Sequence, residues 1–550
     1  MTRLPERPNL DHLKKQAKEL LALYRARAPQ AISRLRDALP AARDKSDEAI
    51  VALGLRLADA QSCLAREYGF SSWADLRSFV AVRNARAVDR DVAIMNLLGL
   101  IYAGDITGGN GRAYPAVAAR VLDERPDLVG DDCHVACAVG DLDVLRQQTA
   151  RDPAWVNRPG GPLALPPLVA VTHSSLVRQP AYRERLHAAA ELLLDAGADP
   201  NQSVSSRWMA SPSAANDVFP LSALYGAAGQ NHDPKLTRLL LDHGANPNDG
   251  ESLYHSLENL DCTRLLLEAG ARVTGTNALY RSLDLDSAEP LKLLLAHGGD
   301  PNEPAPGQPT SDWGTPLLWA IRRRRSREHI AALLDAGADP SAKTPSGIGA
   351  YALALRFGLP DVAAFLRGTG GDPELSLEAQ FVAACAAGDE TTALRLFAER
   401  PGVLSGLSDD QLRLLPELAA HGAGGAVRLM VRLGWPVATR GGDWIASALN
   451  HAVFRGDAAL TRFLLAHGAH WTEEHGFGDN VLGTLSWASC NAPVDGGDWA
   501  ACAEALVAHG LPAAVRDPSG SELLVVQGVR RRFSEDVADV LLAAGTSMGD

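Results

Sequence analysis

The sequence predicts an all-α fold: a repeat solenoid of short helix pairs joined by tight turns, preceded by a small helical N-terminal region. Three observations predict it. A leucine-rich helix end, followed by glycine and a small turn, returns ten times along the chain. Aromatics make up only 5% of the residues while glycine supplies 50, a balance that suits close helix-on-helix packing rather than a sandwich or barrel. At 550 residues the chain is also too long for one compact core, so it is several domains or one extended array.

Residues 1–88 form the helical region in this reading and 89–550 the repeats. Leu10, Leu13, Ala17, Leu20, Leu21 and Tyr24 trace an amphipathic helix, with Asn9 or Asp11 as its cap. A second helix is expected over about 47–68 and a third from Ser71 onward. The segment from Gln61 through Gly69 to Leu76 resembles the helix-turn-helix of DNA-binding proteins. Its second helix offers Ser71, Ser72, Asp75 and only Arg77, where recognition needs basic or amide groups. A helical cap over the first repeat is the preferred reading.

The recurring phrase is clearest in Glu191-LLLDAGADPN, Leu240-LDHGANPN, Arg264-LLLEAGARV, Lys292-LLLAHGGDPN and Ala332-LLDAGADPS. Its turn glycines are Gly197, Gly244, Gly270, Gly298, Gly337, Gly370, Gly434, Gly468, Gly510 and Gly545. The leucines place apolar side chains on one helix face that must be buried. Glycine just past them suits a left-handed helix cap, and Asp/Asn-Pro then stops the helix. Upstream lies a second, shorter helix, best seen in Trp313-GTPLLWAIRRRR, where Thr315 caps and Pro316 opens the first turn. The longest gap, 64 residues between Gly370 and Gly434, hides one further unit around Phe381. The units at Glu251 and Ala278 have room only for truncated elements, and the insertion over 173–185 is expected to lengthen a helix or add a loop.

Thr315, Pro316, Leu317 and Ala320 match the Thr-Pro-Leu-His-x-Ala signature, with Leu318 in the histidine place, and the chain resembles the ankyrin-repeat family over about twelve degenerate units. The leader sequence resembles that of bacterial members. The resemblance implies a curved slab with turns and short helices on the concave side. It also implies a non-catalytic scaffold or adaptor that binds another protein there.

Two arginine runs stand out. Arg322, Arg323, Arg324 and Arg325, and Arg530, Arg531 and Arg532, each begin 15 residues before their glycine, at the end of a short helix and in the loop after it. By the resemblance this region borders the ligand surface, where arginines would grip an acidic peptide or phosphate; solubilising charge is the plainer alternative. Trp313 and Trp444, in or near turn segments, are candidate aromatic anchors, a residue type that interfaces favour beside arginine. Trp435 and Trp471 are similarly placed, while Trp319 reads as core.

Other constellations read as structural. His467, His470 and His475 lack the spacing of a zinc site, and Cys133 and Cys137 lack a second pair. The glycine-rich 108–111 segment lacks the Lys-Ser/Thr of a phosphate loop. Asp479, Asn480, Asp495 and Asp498 are a candidate calcium cluster in an otherwise ordinary polar turn. No catalytic motif, cofactor or metal is expected. The alternative is an enzyme or a metal- or DNA-binding regulator with the repeats as a targeting module. A net charge of −13 argues against nucleic acid and anionic lipid. Seven scattered cysteines, no signal-like N-terminus and no apolar run near ~18 residues point to a cytoplasmic protein, expected to be monomeric.

Overall fold

The computed structural model describes the chain apart from residues 1–3, 6, 86–89, 109–111, 208–219, 305–313, 369–373, 520–522 and 547–550. Trp313, Gly370, most of the 108–111 loop and the expected 88/89 boundary lie outside the described residues. The chain divides into two compact units, Met1–Arg272 and Val273–Asp550.

The first unit begins with helices because its apolar residues recur at helical spacing. Helix Leu10–Arg25 is capped by the Asn9 side chain and buries Leu13, Ala17, Leu20, Leu21 and Tyr24 against helix Leu57–Glu67. The Tyr24 hydroxyl donates to the Ile50 and Val51 carbonyls and accepts from the Leu55 amide, which ties the intervening loop down. Helices Leu57–Glu67 and Trp73–Ala85 flank a turn at Gly69, and Leu76 is fully buried between them. Arg120, on helix Pro115–Glu124, lays its guanidinium 4.3 Å from the Phe70 ring and 4.7 Å from Phe79, so these helices pack on the segment that follows. Helix pairs come next, among them Cys133–Val139 with Leu142–Arg151. The expected insertion is a 3₁₀ turn, Ser175–Arg178, leading into the 16-residue helix Pro180–Asp195.

In the second unit the pairs run Ala278–Ser282 with Glu289–Ala296, Pro316–Arg322 with Arg327–Asp335, and Ala350–Arg356 with Pro360–Leu366. Leu377–Ala387 with Glu390–Glu399 is the unit hidden in the long gap. Leu414–Ala420 with Gly424–Arg432, Ala448–Phe454 with Ala458–Ala466, and Val481–Asn491 with Trp499–Ala508 complete the series. Short antiparallel hairpins join 440–441 to 446–447 and 474–475 to 479–480. Each unit is thus an all-α stack of helix pairs whose turns carry small hairpins. The truncated units keep first helices of only 4 and 5 residues.

The last segment departs from expectation. Arg530 and Arg531 lie in strand Val529–Arg531, which pairs with Leu524–Val526 in a three-stranded antiparallel sheet, not at the end of a helix. The burial pattern explains the difference: Leu524 and Val526 are buried and Val525 between them is less so, a two-residue period that no helix shares. Gly545 is correspondingly no turn glycine but part of helix Glu535–Thr546. Among the described residues no helix is long and apolar enough to cross a membrane.

The turns are stitched by side chains. Eight of the repeat glycines hold φ between +88° and +99°, a region that disfavours any side chain. The amide of Asn302 donates to the Gly337 carbonyl at 2.9 Å and accepts from the Asp339 backbone N–H at 2.7 Å. Asn157 makes the same pair of bonds to Gly197 and Asp199, and Asn248 to Gly270 and Arg272. Each asparagine therefore fixes the register of the next turn. We expect Asn302→Ala to cost about 1 kcal/mol in urea unfolding and to speed hydrogen exchange at the Asp339 amide. Unchanged exchange there would show that stacking alone sets the register.

Candidate functional site

Helix Pro316–Arg322 begins at Thr315, with Pro316 in its first turn, and buries Leu317, Leu318, Trp319 and Ile321. Its end delivers the first arginine run into the second unit. Arg322 is only 5% exposed and does not present its charge to solvent, contrary to the sequence expectation. Its guanidinium pairs with Glu417 at 3.0 Å and Asp443 at 2.8 Å. Arg323 shares Asp443 at 2.7 Å and reaches Asp284 at 3.3 Å. Both guanidinia lie over the Trp319 indole, at 5.1 and 4.6 Å. Arg325 binds Asp286 and the Leu285 carbonyl, each at 2.9 Å, and Arg324 donates to the Phe357 carbonyl. Burial pushes the Asp443 carboxyl up, but Arg322 and Arg323 outweigh it and hold the group below its ordinary value.

The second run is divided. Arg531 makes a bidentate pair with Asp479, both contacts at 2.6 Å, and Arg530 reaches the buried Asp517 at 3.4 Å. Arg532 is exposed. The two runs do not form one site: each is engaged by its own carboxylates.

Beside the Arg322 cluster opens a cleft of about 850 Å³, lined among others by Ile348, Arg356, Arg413, Arg440 and Ile445. Next to it the hairpin tips and first helices carry a run of aromatic rings. Trp444 meets His451 edge-on at 4.7 Å and His475 at 5.4 Å, and lies 5.5 Å from Phe454. Phe454 in turn stacks on Trp487 at 5.5 Å with planes 8° apart. The tips at Trp444 and Gly476 are joined by a hydrogen bond of 2.7 Å from the Gly476 N–H to the Trp444 carbonyl. A Cβ on Gly476 would lie 2.9 Å from that oxygen, so this approach requires glycine. Ile445, Phe477 and Trp487 stay 56%, 80% and 50% exposed. Sequence reasoning named Trp444 but missed these three. The readable signal was Phe477 between two glycines, a large apolar group in a turn that otherwise favours polar residues.

Trp435 and Trp471 serve packing. Trp435 stacks on Phe381 at 5.7 Å, and the Trp471 indole N–H donates to the Gly510 carbonyl at 3.1 Å, taking the asparagine's part in the turn ladder.

The candidate metal clusters disperse. His467, like His243, His297 and His509, donates from Nδ1 to the carbonyl four residues back in its own helix. His470 binds Thr472, while Asp479 is held by Arg531 and Asn480 and Asp498 cap helices. Among the described residues the group Asp132, Cys133 and His134 brings three ligand types within 4.8 Å. Asp132 there already caps helix Cys133–Val139, and His134 Nε2 contacts the Arg158 carbonyl.

Two measurements follow from these environments. Arg322→Met should destabilise the chain by about 3–5 kcal/mol, because it leaves buried Glu417 uncompensated, and adding Glu417→Leu should recover much of the loss. Denaturant unfolding of the single and double variants checks this; equal loss in both would mean the pair is not coupled. His451 is 2% exposed. Burial pushes its imidazole from the ordinary 6.5 down to about 4, with Arg455 and His475 adding to the effect and the Gly441 carbonyl and Asp443 opposing it. The unfolded chain thus takes up this proton near pH 6.5 and the folded chain only near pH 4, so stability falls as pH drops through that window and is unaffected above it. Tm measured against pH should show the fall, with a shallower slope in His451→Leu.

No family model matches the chain, and no curated protein matches it. Among solved structures it is similar to the human ASB11 ankyrin repeat domain, with 21% identity over 44% of this chain and 99% of that one, at a TM-score of 0.32. The fold therefore rests on the helix pairs themselves: an all-α repeat solenoid in which glycine-capped second helices and side-chain-stitched turns recur within each unit.

Proposed function

We propose that this chain is a non-catalytic recognition scaffold that binds a partner protein through the hairpin tips and first helices of its second unit. The observation that carries the reading is the exposed apolar surface of Ile445, Phe477 and Trp487 around Trp444. Large rings held by packing lose little conformational freedom on binding, and exposed apolar patches mark interaction sites. Arg323 and Arg531 pair with Asp443 and Asp479 of the two hairpins, and with Arg325, Arg530 and the exposed Arg532 they would set charge complementarity rather than supply the main grip. In this reading residues 1–88 are a helical leader and 89–550 the repeats. Seven free cysteines fit a reducing, cytoplasmic setting, and the chain acts as a monomer without nucleic acid, membrane or cofactor.

The test is affinity capture from the host lysate with the tagged wild type and an Ile445→Asp/Phe477→Asp variant, which changes only exposed side chains. The expected outcome is one stoichiometric protein lost in the variant at unchanged Tm. A partner retained by the variant would move the interface elsewhere. Turnover of a co-purifying small molecule would replace the scaffold by an enzyme.

A further inference from the structure

The cleft beside the aromatic surface carries charge that the fold leaves unneutralised. Arg356, Arg413 and Arg440 all line it. Among the described residues none of the three has a carboxylate oxygen within 4.0 Å, in contrast to Arg322 and Arg323 in the adjoining cluster. Arg440 donates from Nε to the Ile445 carbonyl at 3.1 Å, which pins its stem across its own hairpin and leaves the outer nitrogens for the cleft. Arg356 donates to the Asp410 carbonyl, and its buried Nε has no hydrogen-bond partner among the described residues. Arg413 is exposed. On the acidic side, Glu417 and Asp443 pair with Arg322 and Arg323, and Asp410, with Glu417, acts on Arg356 without offsetting the burial of its charge.

A second cavity of about 270 Å³ shares Ser346, Ile348, Arg356 and Asp410 with the cleft, and Leu375, Ala379 and Val382 line it further in. Cleft and cavity therefore meet around Arg356, with Ser346, Ile348 and Asp410 beside it, and the inner wall of the cavity is apolar.

We infer that the cleft receives an acidic segment of the partner protein, its carboxylates pairing with Arg356, Arg413 and Arg440 while a neighbouring large apolar side chain enters the cavity behind Arg356. The inference rests on the recognition reading above and adds the chemistry of what is recognised. Guanidinium is weakly hydrated and presents a planar fork to a carboxylate, and a half-buried one has already given up part of its hydration, so pairing costs it less than it would a free side chain. The chain as a whole carries a net charge of −13, which repels an acidic segment everywhere except at such a local excess of arginine.

The test is selection of a random linear-peptide display library on the full chain, followed by fluorescence anisotropy of the enriched peptides. Three proteins are compared: wild type, Arg413→Glu/Arg440→Glu and Ile445→Asp/Phe477→Asp, each with its Tm checked. Enriched peptides should combine Asp or Glu with an adjacent Leu, Phe or Trp. Their affinity should fall at least about tenfold in the charge-reversed protein and with Asn/Gln in place of the acids. Neutral or basic enriched peptides, or affinities unmoved by charge reversal, would overturn the acidic-segment assignment; if Ile445→Asp/Phe477→Asp still abolished binding, the recognition surface itself would stand. Peptides indifferent to both variants, or none enriched, would overturn both. Inorganic phosphate that binds at the arginines and is not displaced by a carboxylate peptide would assign the cleft to phosphate instead.

Discussion

A helix pair of this size cannot bury its own apolar face, so everything in each unit depends on how one pair is indexed against the next. The asparagine clamp does that indexing. Apolar stacking is nondirectional and tolerates sliding, whereas one carboxamide that donates to a glycine carbonyl and accepts from the N–H two residues later tolerates none. Glycine is part of the device, because its left-handed backbone turns that carbonyl outward toward the preceding turn. Where asparagine is missing, Thr274 makes both bonds to Gly298 and Asp300, and the Trp471 indole supplies the donor to Gly510. The hairpin tips that carry Trp444 and Phe477 are joined instead by backbone, through the bond from the Gly476 N–H to the Trp444 carbonyl.

Most of this was legible in the sequence. Leucine triplets, the glycine after them and Asp/Asn-Pro located the second helices and their ends, since each feature has a local physical cause. The clamp itself was half visible: Asn201, Asn248 and Asn302 each fall four residues after a turn glycine. Its meaning depends on a neighbour that lies 22 to 45 residues away in the chain and becomes adjacent only on folding. The final segment misled for a related reason. Counting back from Gly545 assumed that the last repeat keeps the pattern of the others, yet buried Leu524 and Val526 alternate with period two and form a sheet.

The site was less legible because charge and aromatic residues look alike in a sequence whether they face inward or outward. Arg322 and Arg323 belong to one run, and the first is buried among carboxylates contributed by a distant helix and hairpin while the second is shared between core and rim. Arg356, Arg413 and Arg440 are isolated in the sequence and drew no notice, although the fold brings them to one cleft. Clustering in the chain proved a poorer guide than clustering in space. The histidines make the same point: His467 belongs not with its sequence neighbours His470 and His475 but with His243, His297 and His509, which make the same helix-end hydrogen bond along the array.

Arg322 also changes the mechanics of the second unit. Two helix pairs, Ala350–Arg356 with Pro360–Leu366 and Leu377–Ala387 with Glu390–Glu399, intervene in the chain between Arg322 and its partner Glu417. A linear stack behaves as springs in series, so that each joint yields independently and the whole is compliant. An ionic strut from Arg322 to Glu417 and Asp443 adds an element in parallel with those joints. Bending at any one of them is then opposed by the strut, and a load applied at the hairpin around Asp443 is felt directly at the Trp319 helix. The stretch of repeats behind the cleft works as a braced frame, stiffer than its individual hinges.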